Sequence, residues 1–437
     1  MMFVDRLFLS RLGPQYMSAA MGGGMTCFMF MTFFMGLTGY SNALVAQNLG
    51  AGRRGRCAVA ATQAFIVAIL AYPVVLACMP LGEFMFRASD LAPEQLGPQL
   101  EYFRILILGS GLGLLRNAAS AYFSGIGRTR PVMVSAAAAT VVNIFANYVL
   151  VFGKLGLPAL GMAGAAIGTL LGSFAALAVL AAFYLGRTNR EAYGVLGALR
   201  FDGELMRKLW RFGSPSGAEF LLNMLAFTLV VLSFHSYGVS VAAAVTIAFN
   251  WDMVSFIPLI GVGIGVTSLV GRYMGAGRPE VAHRVTMSGI KLAALYSAVG
   301  FTAFCLVPER LVSVFRPSEG GEGFADVIPL AVFMVRLVAV YVFADAVANV
   351  FGSALRGAGD TFWTMVISVS GHWALALGAM VLIRVVRVGP RPAWGTIVVL
   401  VIGLGLAFYA RYRSGRWRNM RVVGPPTPMH DEAELNL

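Results

Sequence analysis

VAQNLGAGRRGRCAV at residues 45–59 and LVGRYMGAGRPEVAHR at residues 269–284 decide how this chain is built. Gly50, Gly52 and Arg53 of the first fall on Gly275, Gly277 and Arg278 of the second at an offset of 225. A second set follows at an offset of 232, where Arg104, Gly125, Gly127 and Thr129 fall on Arg336, Gly357, Gly359 and Thr361. Two ordered sets at nearly one offset mark an internal duplication. Equivalent segments of the two halves begin on the same side, so the repeats are parallel and relate by an axis along the normal of the layer they cross. The GAGR turns follow no strand, which removes the phosphate-cradle reading of a glycine-rich loop.

What the repeats cross is set by composition. The chain has 437 residues, of which 58% are hydrophobic and 12% charged. A soluble domain carries about 25% charged residues. Apolar runs of about 20 residues, enough to span a bilayer, begin near Met17, Cys57, Glu101, Pro131, Gly161, Gly213, Val241, Thr286, Val327, Phe362 and Gly395. Met1 to Leu12 reads as the end of a further span. The repeat offset places that span's start before Met1, so the first helix is expected to be truncated at its N-terminus. The fold class is therefore an all-α polytopic membrane protein. Its two six-helix bundles are related by a pseudo-two-fold axis along the membrane normal. Residues 1–186 form the N-lobe and 213–412 the C-lobe. Residues 187–212 form a cytoplasmic linker in which Leu205, Met206, Leu209 and Trp210 among Arg207, Lys208 and Arg211 suggest an interfacial helix. A basic segment from 413 runs into a tail with Pro425, Pro426 and Pro428 that is expected to be disordered.

The net charge of +13 is not read as a nucleic-acid signal, because the basic residues cluster at the ends of the apolar runs. One set of loops holds 20 of the 33 Lys and Arg, the other 10 and most of the loop acids, among them Glu83, Asp90, Glu94, Glu319 and Glu322. The positive-inside rule puts the first set and the C-terminus in the cytoplasm, as expected of a multi-pass protein of a bacterial plasma membrane. Contact with membrane lipid headgroups follows. Cys27, Cys57, Cys78 and Cys305 match neither a zinc site nor a disulfide framework. His235, His283 and His372 form no cluster, and no nucleophile–base motif is present. No enzyme and no cofactor is expected.

Four carboxylates interrupt the apolar runs: Asp5, Glu219, Asp252 and Asp345. A charge at the bilayer centre costs roughly 3 kcal/mol, so four unpaired ones would cost on the order of 12 kcal/mol. They are tolerable where they face a cavity, find partners or take up protons, and each of these points to a polar path for transport. Tyr341, Asp345 and Asn349 are spaced i, i+4, i+8 and form one oxygen-bearing stripe. Hard cations prefer such ligands, so a sodium ion at Tyr341 and Asp345 is open. Glu219 and Asn223 make a similar i, i+4 pair. Asp252 lies about eleven residues into its run, roughly 16 Å at 1.5 Å per residue and near mid-membrane. Carboxylates gathered in one lobe can exchange a proton, a sodium ion and an organic cation, which is a minimal antiport mechanism. Arg116, also inside a span, is a candidate partner for Asp5.

Asp5 with Arg11-Leu12-Gly13-Pro14, VAQNLGAG (45–52), GIGRTRPVM (125–133), VNIFANYVLVFG (142–153), LGMAGAAIGT (160–169), GSPSGAE (213–219) and LRGAGDT (355–361) together resemble the MATE family of multidrug and toxic-compound exporters. The resemblance implies twelve helices in two lobes and antiport of cationic or amphipathic compounds against sodium ions or protons. It places Asp5 at the N-lobe carboxylate. Tyr341 and Asp345 fall at the C-lobe pair of the NorM-type branch, and Asn143 and Asn147 at polar positions of the fifth helix. Some members carry Asp where Asn147 stands. Asn223 occupies a position that holds Glu in the NorM-type branch, with Glu219 one turn earlier. These departures leave the coupling ion open. The expected function is a secondary active exporter working by alternating access as a monomer. A lipid-linked precursor flippase of the same superfamily, or an inactive truncated transporter, is the alternative.

Overall fold

The computed structural model of the chain describes residues 5, 8, 9, 11–89, 93–316 and 324–424. Arg6, Asp90, Glu319, Glu322 and the proline-rich tail from residue 425 lie outside the described residues. Among the described residues all regular structure is helical. Ten helical runs are long and apolar enough to cross a membrane.

The chain forms two compact units, Met1–Leu221 and Leu222–Leu437. In the first, residues 5, 8 and 9 are helical. They are followed by α1 (Pro14–Gly39), α2 (Ser41–Gly50), α3 (Arg54–Ala77), α4 (Met79–Arg87), α5 (Pro93–Leu108), α6 (Ser110–Gly125), α7 (Arg130–Phe152), α8 (Gly161–Leu185) and α9 (Arg187–Tyr193). α10 (Gly203–His235) carries the division between the units. The second unit continues with α11 (Val239–Gly275), α12 (Pro279–Leu306), α13 (Pro308–Ser313), α14 (Phe324–Ala358), α15 (Thr361–Met380) and α16 (Pro390–Arg413).

The span expected near Glu101 is made of two helices. α5 and α6 have 16 residues each, about 24 Å at 1.5 Å per residue, against a hydrocarbon core of about 30 Å. They break at Gly109, where a Cβ would stand 2.1 Å from Leu170 Cδ2 of α8. The missing side chain lets α8 pack into the break.

The duplication is written into the backbone. After α2, Arg53 N donates to Asn48 O at 2.9 Å and Gly52 N to Leu49 O at 3.0 Å, with Gly52 at φ 76°. After α11, Arg278 N donates to Tyr273 O at 2.9 Å and Gly277 N to Met274 O at 3.1 Å, with Gly277 at φ 70°. Both are Schellman caps, whose left-handed residue is glycine because a Cβ is penalised there. Packing repeats with them. A Cβ on Gly125 would lie 2.7 Å from Asn42 O and 2.8 Å from Val45 Cβ, and one on Gly357 2.7 Å from Thr267 O and 3.2 Å from Val270 Cβ. Asn42 and Val45 are related to Thr267 and Val270 by the same offset of 225. Each glycine thus brings the two backbones of its unit together at an equivalent point.

The linker differs from the expectation at one place. α10 begins at Gly203, ten residues before the expected start at Gly213, and runs through Pro215. Asp202 caps it, its Oδ1 accepting from Leu205 N at 2.9 Å. Gln63 holds the approach by donating to Arg200 O at 2.9 Å and accepting from Asp202 N at 3.2 Å. Leu205 and Leu209 are buried in protein while Trp210 is 45% exposed. The segment read as interfacial is therefore the start of α10, its apolar face turned to the first unit.

Candidate functional site

The first unit buries one carboxylate completely. Asp5 has no solvent exposure and accepts four hydrogen bonds from three helices. Asn143 and Asn147, one turn apart on α7, donate to Oδ1 at 3.0 and 2.7 Å. Tyr102 of α5 donates its hydroxyl to Oδ2 at 3.0 Å, and Thr169 of α8 donates to the same oxygen. Asn143 also donates to Thr169 Oγ1 at 3.2 Å. Hydrogen bonds to a charged group contribute about 1.5–3 kcal/mol each, which offsets part of the cost of burying the carboxylate. Among the described residues every partner is uncharged. Arg116 is not one of them, so the ion pair with Asp5 considered from the sequence does not form. Asn143 Oδ1 and Asn147 Oδ1 are buried without a donor. A carboxylate beside uncommitted amide oxygens is a donor set for a proton or a hard cation.

The second unit gathers a different cluster. Asp252 of α11 and Tyr341 of α14 interact through their side chains, and Asp345, one turn beyond Tyr341, acts electrostatically on both. Asp252 Oδ1 is buried without a donor. Asn349 points elsewhere: its Oδ1 lies 2.5 Å from where a Cβ on Gly263 would stand, so it marks close packing of α14 on α11. Asn223 donates to Ser368 Oγ at 2.8 Å and joins α10 to α15. Glu219 precedes the division between the units. It is buried and has a partner of its own.

The duplication does not extend to these groups. At the repeat offsets Asp252, Tyr341 and Asp345 correspond to Cys27, Gly109 and Gly113. Tyr102, Asn143 and Asn147 correspond to Met334, Leu375 and Ala379, all in the apolar core of the second unit. The two sites described above therefore stand on non-equivalent positions of the repeat.

The sequence profile of the MatE family matches residues 1–149 and 215–378, more than half of the chain. The chain belongs to the MATE family. It is 27% identical over 385 residues to a probable multidrug resistance protein NorM of Thermotoga maritima, covering 87% of this chain and 80% of that one. It is 28% identical over 427 residues to the multidrug resistance protein PmpM of Pseudomonas aeruginosa, covering 95% and 87%. Among solved structures, a MOP superfamily transporter from Pyrococcus furiosus superposes with a TM-score of 0.86 at 18% identity, covering 94% of this chain and 90% of that one. A MATE crystallised with MaL6 gives a TM-score of 0.85 at 19% identity, covering 94% and 91%. The MATE fold of this multi-pass transporter follows from these matches.

Within the MATE chain, sequence reasoning found Asp5, Asn143 and Asn147 but gave no role to Tyr102, Thr169 or Gly168. Thr169 and Gly168 stand in LGMAGAAIGT, where the run of small residues was the available signal. Gly168 is the tightest point of the site, since a Cβ there would lie 2.1 Å from Asn147 Oδ1. Gly168→Ala is expected to push Asn147 off Asp5. Export should fall about tenfold, as for loss of one charge-assisted hydrogen bond, in a protein that still inserts. Export at the wild-type rate in a vesicle assay would show that the Asn147–Asp5 bond is not used.

Proposed function

We propose that this MATE transporter is a secondary active antiporter that exports cationic or amphipathic small molecules in exchange for protons or sodium ions by alternating access. The names of its relatives NorM and PmpM point to multidrug export. The observation that carries the coupling is Asp5, a fully buried carboxylate held by four uncharged donors. Its charge is costly at membrane depth and is relieved by binding a proton or a hard cation. Asp252, Tyr341 and Asp345 form the second ion- or substrate-handling group. The arginine-rich loops and the C-terminus lie in the cytoplasm by the positive-inside rule, with the protein in the plasma membrane of a bacterium.

Efflux of a fluorescent organic cation from energised vesicles, with sodium and proton gradients imposed separately, tests this reading. Wild type is expected to export under one of the two gradients, and Asp345→Asn to lose most of that export. Export by Asp345→Asn at the wild-type rate would remove Asp345 from the mechanism. No export by wild type under either gradient would overturn the antiporter.

A further inference from the structure

The second unit continues past its last span. α16 has 24 residues, Pro390–Arg413, about 36 Å at 1.5 Å per residue. The hydrocarbon core is about 30 Å thick, and the headgroup layers bring a bilayer to about 40–45 Å. A helix of that length ends in the headgroup layer. There the chain turns at Gly415, whose φ of 70° favours glycine. It then makes a short 3-10 turn over Arg416–Asn419 and runs on to residue 424 as a strap.

The strap has two kinds of side chain. Trp417 is 1% exposed, and Val422 and Val423 are buried. The Trp417 ring stacks on Tyr412, 5.0 Å between centroids and 19° between planes, and its Nε1 donates to Tyr412 O at 3.0 Å. The Tyr412 hydroxyl lies 2.9 Å from His283 Nδ1 of α12, and its ring 4.6 Å from that of Phe351 of α14. The strap is thus fastened to three spans of its unit. Arg413, Arg416, Arg418 and Arg421 are all exposed, with no acidic residue between 413 and 424. Arg418 has one long contact, Nη1 to Glu280 Oε1 at 3.4 Å. The other three have no hydrogen bond or ion pair to a described residue. Arg411 stands apart from the set, because Asp360 neutralises it. In the first unit the segment after α8 is α9, where Arg187 is matched by its own Glu191 at 2.8 Å.

We propose that this strap is a docking surface for anionic phospholipid headgroups, whose phosphates are taken by Arg413, Arg416, Arg418 and Arg421. Topology asks only for basic charge beyond the span, which a loose tail would supply as well. Here the charge is carried on a segment fixed by a buried tryptophan. The planar fork of each guanidinium matches phosphate oxygens, and the length of α16 sets the arginines at the depth of the headgroups. Trp417 acts through them as a positioning residue, holding the array in place so that less order is lost when a headgroup binds. The assignment does not depend on the transport reading.

Phosphatidylglycerol or phosphatidylcholine titrated onto the full chain in detergent, with bound lipid counted by native mass spectrometry, tests it. Phosphatidylglycerol is expected to be retained in preference to phosphatidylcholine. Arg416→Gln, Arg418→Gln and Arg421→Gln together should weaken its retention about a hundredfold, from about fivefold for each arginine near a charged surface. Trp417→Ala keeps every charge and should still weaken retention about tenfold, while Trp417→Phe should recover most of it. Arg187→Gln with Arg190→Gln, on α9, should stay within about twofold of wild type. Equal retention of the two lipids, wild-type retention by the triple variant or by Trp417→Ala, or the same loss in the α9 variant would overturn the proposal. The chain also carries Asp431, Glu432 and Glu434. A tenfold gain in lipid retention when these three are changed to Asn, Gln and Gln would give the surface to the chain's own acidic segment and overturn it as well.

Discussion

Asp5→Asn is expected to lower gradient-driven export of an organic cation about a hundredfold, equivalent to roughly 2.7 kcal/mol in the barrier. The substitution keeps the shape of the side chain and removes its two essential properties. An amide cannot be neutralised by a proton and brings no charge to hold a cation. Its nitrogen would also face donors, either Asn143 and Asn147 or Tyr102 and Thr169, where each now finds an acceptor oxygen. Asp5→Glu keeps the charge but forces one more methylene into a position with no exposure, and should fall between the two. Initial rates under one imposed gradient, at matched amounts of inserted protein, measure the effect. A rate for Asp5→Asn within about threefold of wild type, less than 1 kcal/mol, would contradict the assignment of this site.

The largest loss of stability is expected in the second unit, where α14 ends beside the last turn of α16. Asp360 follows the glycine cap that ends α14, with its N donating to Leu355 O at 2.8 Å and Gly359 at φ 103°. Its counterpart in the first unit is Arg128, whose N donates to Phe123 O at 2.9 Å. The acid at this position is matched by Arg411 from the last turn of α16, Nε to Oδ2 at 2.7 Å, with side chains only 2% and 11% exposed. Arg411 also lies over the Trp363 ring, 5.1 Å from its centroid. Removing one partner of a buried pair leaves a charge without compensation and costs about 3–5 kcal/mol. Arg411→Ala should therefore lower stability by about 3 kcal/mol. Asp360→Asn combined with Arg411→Leu should recover most of the loss, since no buried charge is then left alone. Thermal unfolding in detergent reads both. A change below about 0.5 kcal/mol for Arg411→Ala would place the pair with solvated surface pairs.

The repeat was legible because its glycines carry a backbone requirement. Gly52, Gly127, Gly277 and Gly359 all sit at positive φ, a conformation that favours glycine, so the turn kept its glycine in both halves. The break at Gly109 left none, because a glycine inside an apolar run looks like any other until the neighbour that needs its space, Leu170, is known. The start of α10 was misplaced for a related reason. Arg207, Lys208 and Arg211 gave the segment an interfacial composition, while the cap at Asp202 and the burial of Leu205 and Leu209 are tertiary facts.

The polar site was half legible. Asp5, Asn143 and Asn147 stood out as polar residues in apolar runs and through the family motifs. Tyr102 did not, because a tyrosine in a span is more often packing than ligand, and nothing in sequence links it to a residue 97 positions away. Arg116 drew attention by its charge, and the carboxylate it was matched with is satisfied by neutral groups instead. Charge alone suggested a pair that helix geometry does not make.

Coupling itself is the central claim, and it is read most directly by loading proteoliposomes with an organic cation, imposing no ion gradient, and following internal pH and sodium as the substrate leaves. Inward movement of protons or sodium that accompanies substrate exit in the wild type, and is absent in Asp5→Asn, is the expected result. Substrate leaving the wild type with no movement of either ion would contradict the account.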